Sequence, residues 1–161
     1  MGNADQDLGY RASTGAPVLH LFFQADPASV RRALKTALGV IRDLLPARDR
    51  ASAVEIVLAE ALNNVVEHAY AETGFGLVEL EVDRVPAALA FRIRDEGAAM
   101  PGGDVPAGAA HDLDVSTPDL PEGGFGWFLI HELTEDLAYR RVGNRNELTF
   151  RIALDPEVAN G

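Results

Sequence analysis

Between Arg48 and Tyr70, apolar residues recur at Val54, Val57, Leu58, Ala61, Leu62, Val65 and Ala69, the three-and-four spacing of a helix with one buried face. At about 100° per residue, Glu60, Asn64, Glu67 and His68 gather in one broad sector away from that stripe. Such a helix must lay its apolar stripe on another layer, and it brings carboxylates, an amide and an imidazole with it. The helix alone is equally consistent with a solvated polar face. The purpose of the sector depends on the segments that surround it.

Those segments alternate between sheet and helix patterns. The run VLHLFFQA, residues 18–25, reads as a strand, and the next segment opens with Asp26 as N-cap and Pro27 at the first helical position, predicting a helix to Leu45. The polar helix comes next, from about residue 48 to 70. LVELEVDR and ALAFRIRD flank a short VPA connection and predict an antiparallel pair whose second strand ends at Asp95. Residues 96–124 are dense in Gly, Pro, Ala and Asp, too long for a casual connection, and form a candidate lid. GFGWFLIHELTED predicts a short helix, and LAYRRV and ELTFRIAL a closing hairpin. The order implies an α+β domain over residues 17–155, a two-layer sandwich with a mixed or antiparallel sheet and helices on one face. Residues 1–16 are expected to be a disordered leader and 156–161 a flexible tail.

Composition removes several functions. A formal net charge of -11 opposes a nucleic-acid backbone or an anionic lipid surface. Lys35 is the only lysine and lies in VRRALKTAL beside no glycine-rich loop. That excludes a Walker-type phosphate loop and the strand lysine of eukaryotic-type protein kinases. With no cysteine there is no disulfide framework and no thiolate metal site. No apolar run approaches the roughly 20 residues a membrane helix needs, and a cytoplasmic address is the expectation.

Three stretches can carry chemistry. In AEALNNVVEHAY, Ala59 to Tyr70, the polar sector holds Glu60 and Asn64 one turn apart. In RDEGAAMPGG, Asp95 closes a strand and Gly97 comes two residues later; a fixed carboxylate accepts from an amino group while glycine admits a flat ring close to the backbone. By itself this is also what a plain turn looks like. In PEGGFGWFLI, Gly123, Gly124 and Gly126 stand at a helix start, where free N–H groups favour an anion, though a linker with a helix cap reads the same way. HELTED begins like a zinc-protease motif, but position 135 is Glu, so His131 lacks its ligand partner and is expected on the helix surface or in packing. His20 and His111 have no spaced partners along the chain that make a metal site.

In this order the three stretches resemble the N, G1 and G2 boxes of the GHKL ATP-binding superfamily, whose members share the Bergerat fold, over about residues 18–154. EALNNVVEHAY is similar to the helix of the anti-sigma-factor serine kinases of the SpoIIAB and RsbW type. The resemblance implies an ATP-dependent serine/threonine protein kinase that phosphorylates a STAS-type anti-anti-sigma protein, binds a sigma factor and forms a homodimer. It implies ATP and Mg²⁺ as ligands, with Asn64 on the metal, Glu60 as general base, Asp95 on the adenine amino group and Gly97 shaping the adenine pocket. Gly124 and Gly126 would let the lid close over the phosphates, and Thr149 would support the adenine contact from a late strand. His68 and Asn63 would be neighbours.

The chain departs from the pattern at Ala99, where a second G1 glycine is usual, at Glu122, where an arginine often precedes the G2 glycines, and before Thr149, where a glycine is missing. These departures leave two other functions open: a nucleotide-regulated binding module with little transfer, and a sensor-kinase-like domain acting on a histidine phosphoacceptor.

Overall fold

The computed structural model describes residues 17–45, 48–107 and 124–154. The expected leader and tail, together with His111, Glu122 and Gly123, lie outside the described residues. The elements run β1 (Leu19–Gln24), α1 (Pro27–Ile41), α2 (Arg48–Asn64), β2 (Leu77–Val85), β3 (Ala88–Asp95), α3 (Gly124–Leu133), β4 (Glu135–Val142) and β5 (Arg145–Ala153). The sheet order is β1-β2-β3-β5-β4 with every neighbouring pair antiparallel, which resolves the mixed-or-antiparallel expectation.

Local chemistry starts α1 where the sequence predicts. Asp26 Oδ1 accepts from the Ser29 N–H and Oδ2 from the Ser29 hydroxyl, both at 2.8 Å, satisfying a donor the helix leaves open. Pro27 loses nothing at the first turn. The helix ends at Ile41, earlier than Leu45, and a single tight turn over Arg42–Leu44 comes after it. At the other end of the chain, α3 stops at Leu133, where the Thr134 hydroxyl bonds back to the Ile130 carbonyl at 2.6 Å. Glu135 and Asp136, expected in the helix, instead begin β4 through a bulge, with Asp136 at φ 53.

Alternation sorts the sheet into two faces. Val78, Leu80, Val82, Phe91, Ile93, Phe150 and Ile152 form one core with Val54, Val57, Leu58 and Leu62 of α2, and the Phe91 and Phe150 rings stack at 5.0 Å. The other face is an ion-pair lattice centred on Arg94. Its Nε donates to Glu147 Oε2 at 2.8 Å and its Nη1 to Glu79 Oε1 at 3.0 Å. Arg145 and His20 also meet Glu79, and Arg140 meets Glu147. His20, Glu79 and Glu81 thus gather their ligand atoms within 4.8 Å, a grouping that spacing along the chain did not reveal. Arg94 and Arg145 already neutralise those carboxylates, so the cluster is an ion-pair node.

Burial alone would raise the Glu79 carboxyl, but the His20 bond and the Arg94 and Arg145 charges hold it below the ordinary glutamate value. Glu147 is likewise raised by burial and lowered further by Arg94, Arg92 and Arg140, with the same net direction. A lowered folded-state pKa contributes stability that is complete above the unfolded value, about 4.3, and is lost as pH falls through the folded value. Asp95, raised by burial, runs the other way. Removing the lattice in Arg94→Met is therefore expected to weaken the acid-side fall of the thermal midpoint below about pH 4.5. Melting curves of both proteins between about pH 3 and 7 check this; parallel curves would exclude it.

Candidate functional site

The polar sector of α2 is cut short by its own geometry. After Asn64 the chain takes one wider π-type turn over Val65–Ala69, closed by the Tyr70 N–H on the Val65 carbonyl at 3.3 Å. The expected helix to residue 70 therefore ends its regular register at Asn64. An extra residue in the turn rotates the side chains beyond it: Glu67 and His68 go to solvent, with side chains 64% and 62% exposed. Tyr70 goes inward. Its hydroxyl donates to the Leu77 carbonyl and accepts from the Glu96 N–H, both at 2.8 Å. Burial pushes the phenol up, so it stays a donor. A Cβ at Gly76 would lie 2.0 Å from the Tyr70 ring, so the ring's seat depends on that glycine.

Asp95 sits at the end of β3, directly opposite Asn146 of β5. Its Oδ1 accepts from Asn146 Nδ2 at 2.8 Å and from the Gly97 N–H at 2.9 Å. The chain after it lies against the π-type turn: the Ala98 N–H donates to the Ala69 carbonyl at 2.7 Å. At Gly97 a Cβ would stand 2.3 Å from that same Ala69 oxygen. Only glycine fits there, because the opposing atoms are backbone. Burial raises the Asp95 carboxyl, against the lowering effect of the Asn146 and Gly97 bonds and the Arg141 charge.

A second close approach joins α3 to α2. A Cβ on Gly126 would lie 2.5 Å from Glu60 Oε2, so the start of α3 presses on the Glu60 carboxylate. Gly124 is the first residue of that helix. One turn after Glu60, the Asn64 Nδ2 is buried with no hydrogen-bond partner among the described residues. Such atoms are uncommon and call for an explanation. His131 reaches from α3 to the Pro106 carbonyl at 2.7 Å, tying the described part of the 96–124 stretch to the helix.

The structure thus brings Glu60 and Gly126 together, sets Asn64 one turn from Glu60, and packs Gly97 beside Asp95. It does not bring Thr149 to them. Thr149 pairs with Arg92 and Ala138, which alternation puts on the ion-pair face of the sheet, three residues from Asn146. The contact expected of Thr149 is made by Asn146. Both Asn146 and Tyr70 escaped sequence reasoning; Tyr70 stood in the quoted motif, but only the π-type turn swings it inward. A groove of about 590 Å³ runs from Phe22 and Glu79 past Tyr70 to Asp95 and Gly97. It meets the Asp95 end of the site and not the Glu60 end.

The family model for the histidine kinase-like ATPase domain matches residues 23–152, from the end of β1 into β5, and takes in every site residue above. The chain belongs to this family. Among curated relatives of this ATPase domain, the anti-sigma F factor of Geobacillus stearothermophilus is 24% identical over 132 residues, 82% of this chain and 88% of that protein. The anti-sigma F factor of Bacillus subtilis (strain 168) is 27% identical over 120 residues, 74% of this chain and 80% of that one. Among solved structures, the Acinetobacter baumannii histidine kinase AdeS aligns with a TM-score of 0.45 at 16% identity, covering 85% of this chain and 68% of that chain. The α+β architecture, five antiparallel strands with helices, goes with the histidine kinase-like ATPase family model, and an ATPase domain implies ATP as the bound nucleotide. Among the described residues no helix is long and apolar enough to cross a membrane.

Proposed function

We propose that this ATPase domain is an ATP-dependent serine/threonine protein kinase acting as an anti-sigma factor, with a STAS-type anti-anti-sigma protein as its substrate. The observation that carries the reading is the buried Asn64 Nδ2, which has no partner among the described residues and lies one turn from Glu60. A buried NH2 of this kind is a donor open to a phosphate oxygen, and the oxygen of the same amide would suit Mg²⁺, which keeps several waters and needs few protein ligands. Bound there, the cation would neutralise charge on the phosphates. Glu60 is the carboxylate placed to orient the incoming hydroxyl, and Gly126 keeps a side chain from being driven into it. Asp95 takes the adenine amino group, Gly97, seated against the Ala69 carbonyl, shapes the pocket beside it, and the Gly124–Gly126 segment meets the phosphates. Two anti-sigma F factors among the relatives support the partner class. A sigma factor as second partner, a homodimer and a cytoplasmic address complete the proposal.

Calorimetric titration tests the nucleotide part first. ADP and ATP are expected to bind, ATP more tightly with Mg²⁺ than without, and Asn64→Ala is expected to remove that Mg²⁺ dependence. No binding of either nucleotide at millimolar concentration would refute the reading.

A further inference from the structure

We propose that Asn146, held by Tyr139 and Arg141, is a positioning residue of the nucleotide site: it sets the Asp95 carboxylate and clamps the backbone of residues 97–100, so that one carboxylate oxygen is presented to the base. This deepens the nucleotide reading above and rests on it.

The Asn146 side chain has one permitted orientation. Its Nδ2 donates to Asp95 Oδ1 at 2.8 Å, to the Ala98 carbonyl at 2.9 Å and to the Gly97 carbonyl at 3.3 Å. Its Oδ1 accepts from the Tyr139 hydroxyl at 2.5 Å and from Arg141 Nη1 at 2.8 Å. The three groups near the nitrogen only accept and Arg141 near the oxygen only donates, so a flipped amide would lose at least four of the five contacts. Asn146 is itself only 4% exposed, which makes each contact costly to lose.

The same three side chains hold the segment after Asp95. Tyr139, having given its proton to Asn146, accepts from the Met100 N–H at 3.0 Å, and Arg141 Nη1 also donates to the Gly97 carbonyl at 2.8 Å. With Tyr70 on the Glu96 N–H, Asp95 on the Gly97 N–H and Ala69 on the Ala98 N–H, the turn is tied at nearly every residue. Its shape is therefore imposed from β4, β5 and the turn after α2. That accounts for Ala99 at a position where the resemblance leads one to expect glycine: a segment pinned by side chains needs less backbone freedom of its own.

The pinning also divides the Asp95 oxygens. Asn146 and the Gly97 N–H both take Oδ1, leaving Oδ2 to accept from the amino group of a base. Among the described residues, the ionisable groups facing Asp95 are Arg141 from β4, Tyr70 from the turn after α2 and Glu96 beside it in the chain. Burial raises the Asp95 carboxyl and the Asn146 bond is the largest of the effects that lower it. Taking that bond away makes Asp95 protonate at higher pH, and a protonated Asp95 is a poorer acceptor for the base.

The test uses the full chain, with ADP titrated calorimetrically between about pH 5 and 8 and folding checked by thermal unfolding. Asn146→Asp keeps the shape, removes the donor and adds a second carboxylate. It is expected to weaken ADP at least about ten-fold at pH 7 and to move the acid-side loss of binding to higher pH. Tyr139→Phe removes one hydroxyl from the clamp and is expected to weaken ADP about three- to ten-fold with the fold intact. Should the wild type bind ADP and both variants bind within two-fold of it with an unmoved pH midpoint, the clamp is wrong and the nucleotide reading stands. A wild type that binds no adenine nucleotide overturns both together.

Discussion

Changing Glu60 to glutamine is expected to lower phosphate transfer to a cognate STAS-type protein by about two to four orders of magnitude, while ADP affinity stays within about three-fold. The substitution preserves volume and the contact under Gly126, where α3 approaches the Glu60 carboxylate. It removes a group able to take the serine proton. Phosphoryl transfer depends chiefly on position and charge neutralisation, so binding, read at Asn64, Asp95 and Gly97, is left in place. Single-turnover transfer from radiolabelled Mg-ATP, run beside calorimetry with ADP, separates the two effects. Equal rates in the variant and the wild type would remove Glu60 from the mechanism. A wild type that binds nucleotide and changes partner affinity without transferring phosphate would instead select the nucleotide-regulated binding module.

Gly97→Ala is expected to cost both stability and binding. Its Cβ would meet the Ala69 oxygen at 2.3 Å and the Ala69 carbonyl carbon at 2.5 Å. These are backbone atoms in a turn already fixed by the Ala98 and Tyr70 N–H groups, so neither side gives way cheaply. Overpacking of this kind costs about 1–3 kcal/mol, which for a chain of this size lowers the thermal midpoint by roughly 2–4 °C per kcal/mol. Because the strain falls between Asp95 and the turn after Asn64, ADP affinity is expected to drop at least about ten-fold as well. Gly39→Ala is the control. That glycine lies in α1 with nothing within 4 Å of an added Cβ, and alanine there is expected to gain up to about 1 kcal/mol. Equal melting and binding for the two variants would mean that the close approach at Gly97 is not a constraint.

Most of the architecture was legible because it derives from periodicity. The Val54 to Leu62 stripe marks α2, the alternation through Leu80, Val82, Phe91 and Ile93 marks the central strands, and Asp26 with Pro27 marks a helix start; each pattern is local. The boundaries that moved did so for reasons periodicity does not carry. The Thr134 hydroxyl closes α3 before Glu135, and the wider turn after Asn64 ends the regular register of α2. Glu60, Asn64, Asp95 and Gly97 could be singled out by residue type and order, and the structure sets Gly126 against Glu60 and Gly97 against Ala69. Thr149 was singled out by the resemblance alone: the alternation of Leu148, Phe150 and Ile152 around it already turns it to the ion-pair face, whereas its replacement by Asn146 opposite Asp95 needed the strand pairing.

By itself the sequence determined an α+β chain with one polar-faced helix, a carboxylate at a strand end and glycines where the backbone must come close. These are properties of short segments, set by side-chain chemistry and by the helix and strand periods of about 3.6 and 2 residues. Only the tertiary structure decided which distant residues complete them. The pairing of β3 with β5 puts Asn146 on Asp95, the π-type turn sends Tyr70 inward and His68 out, and β4 supplies Tyr139 and Arg141 to hold the 97–100 segment. Those contacts join residues far apart in the chain, and their partners are chosen by the packing of the whole sheet, which no local pattern encodes.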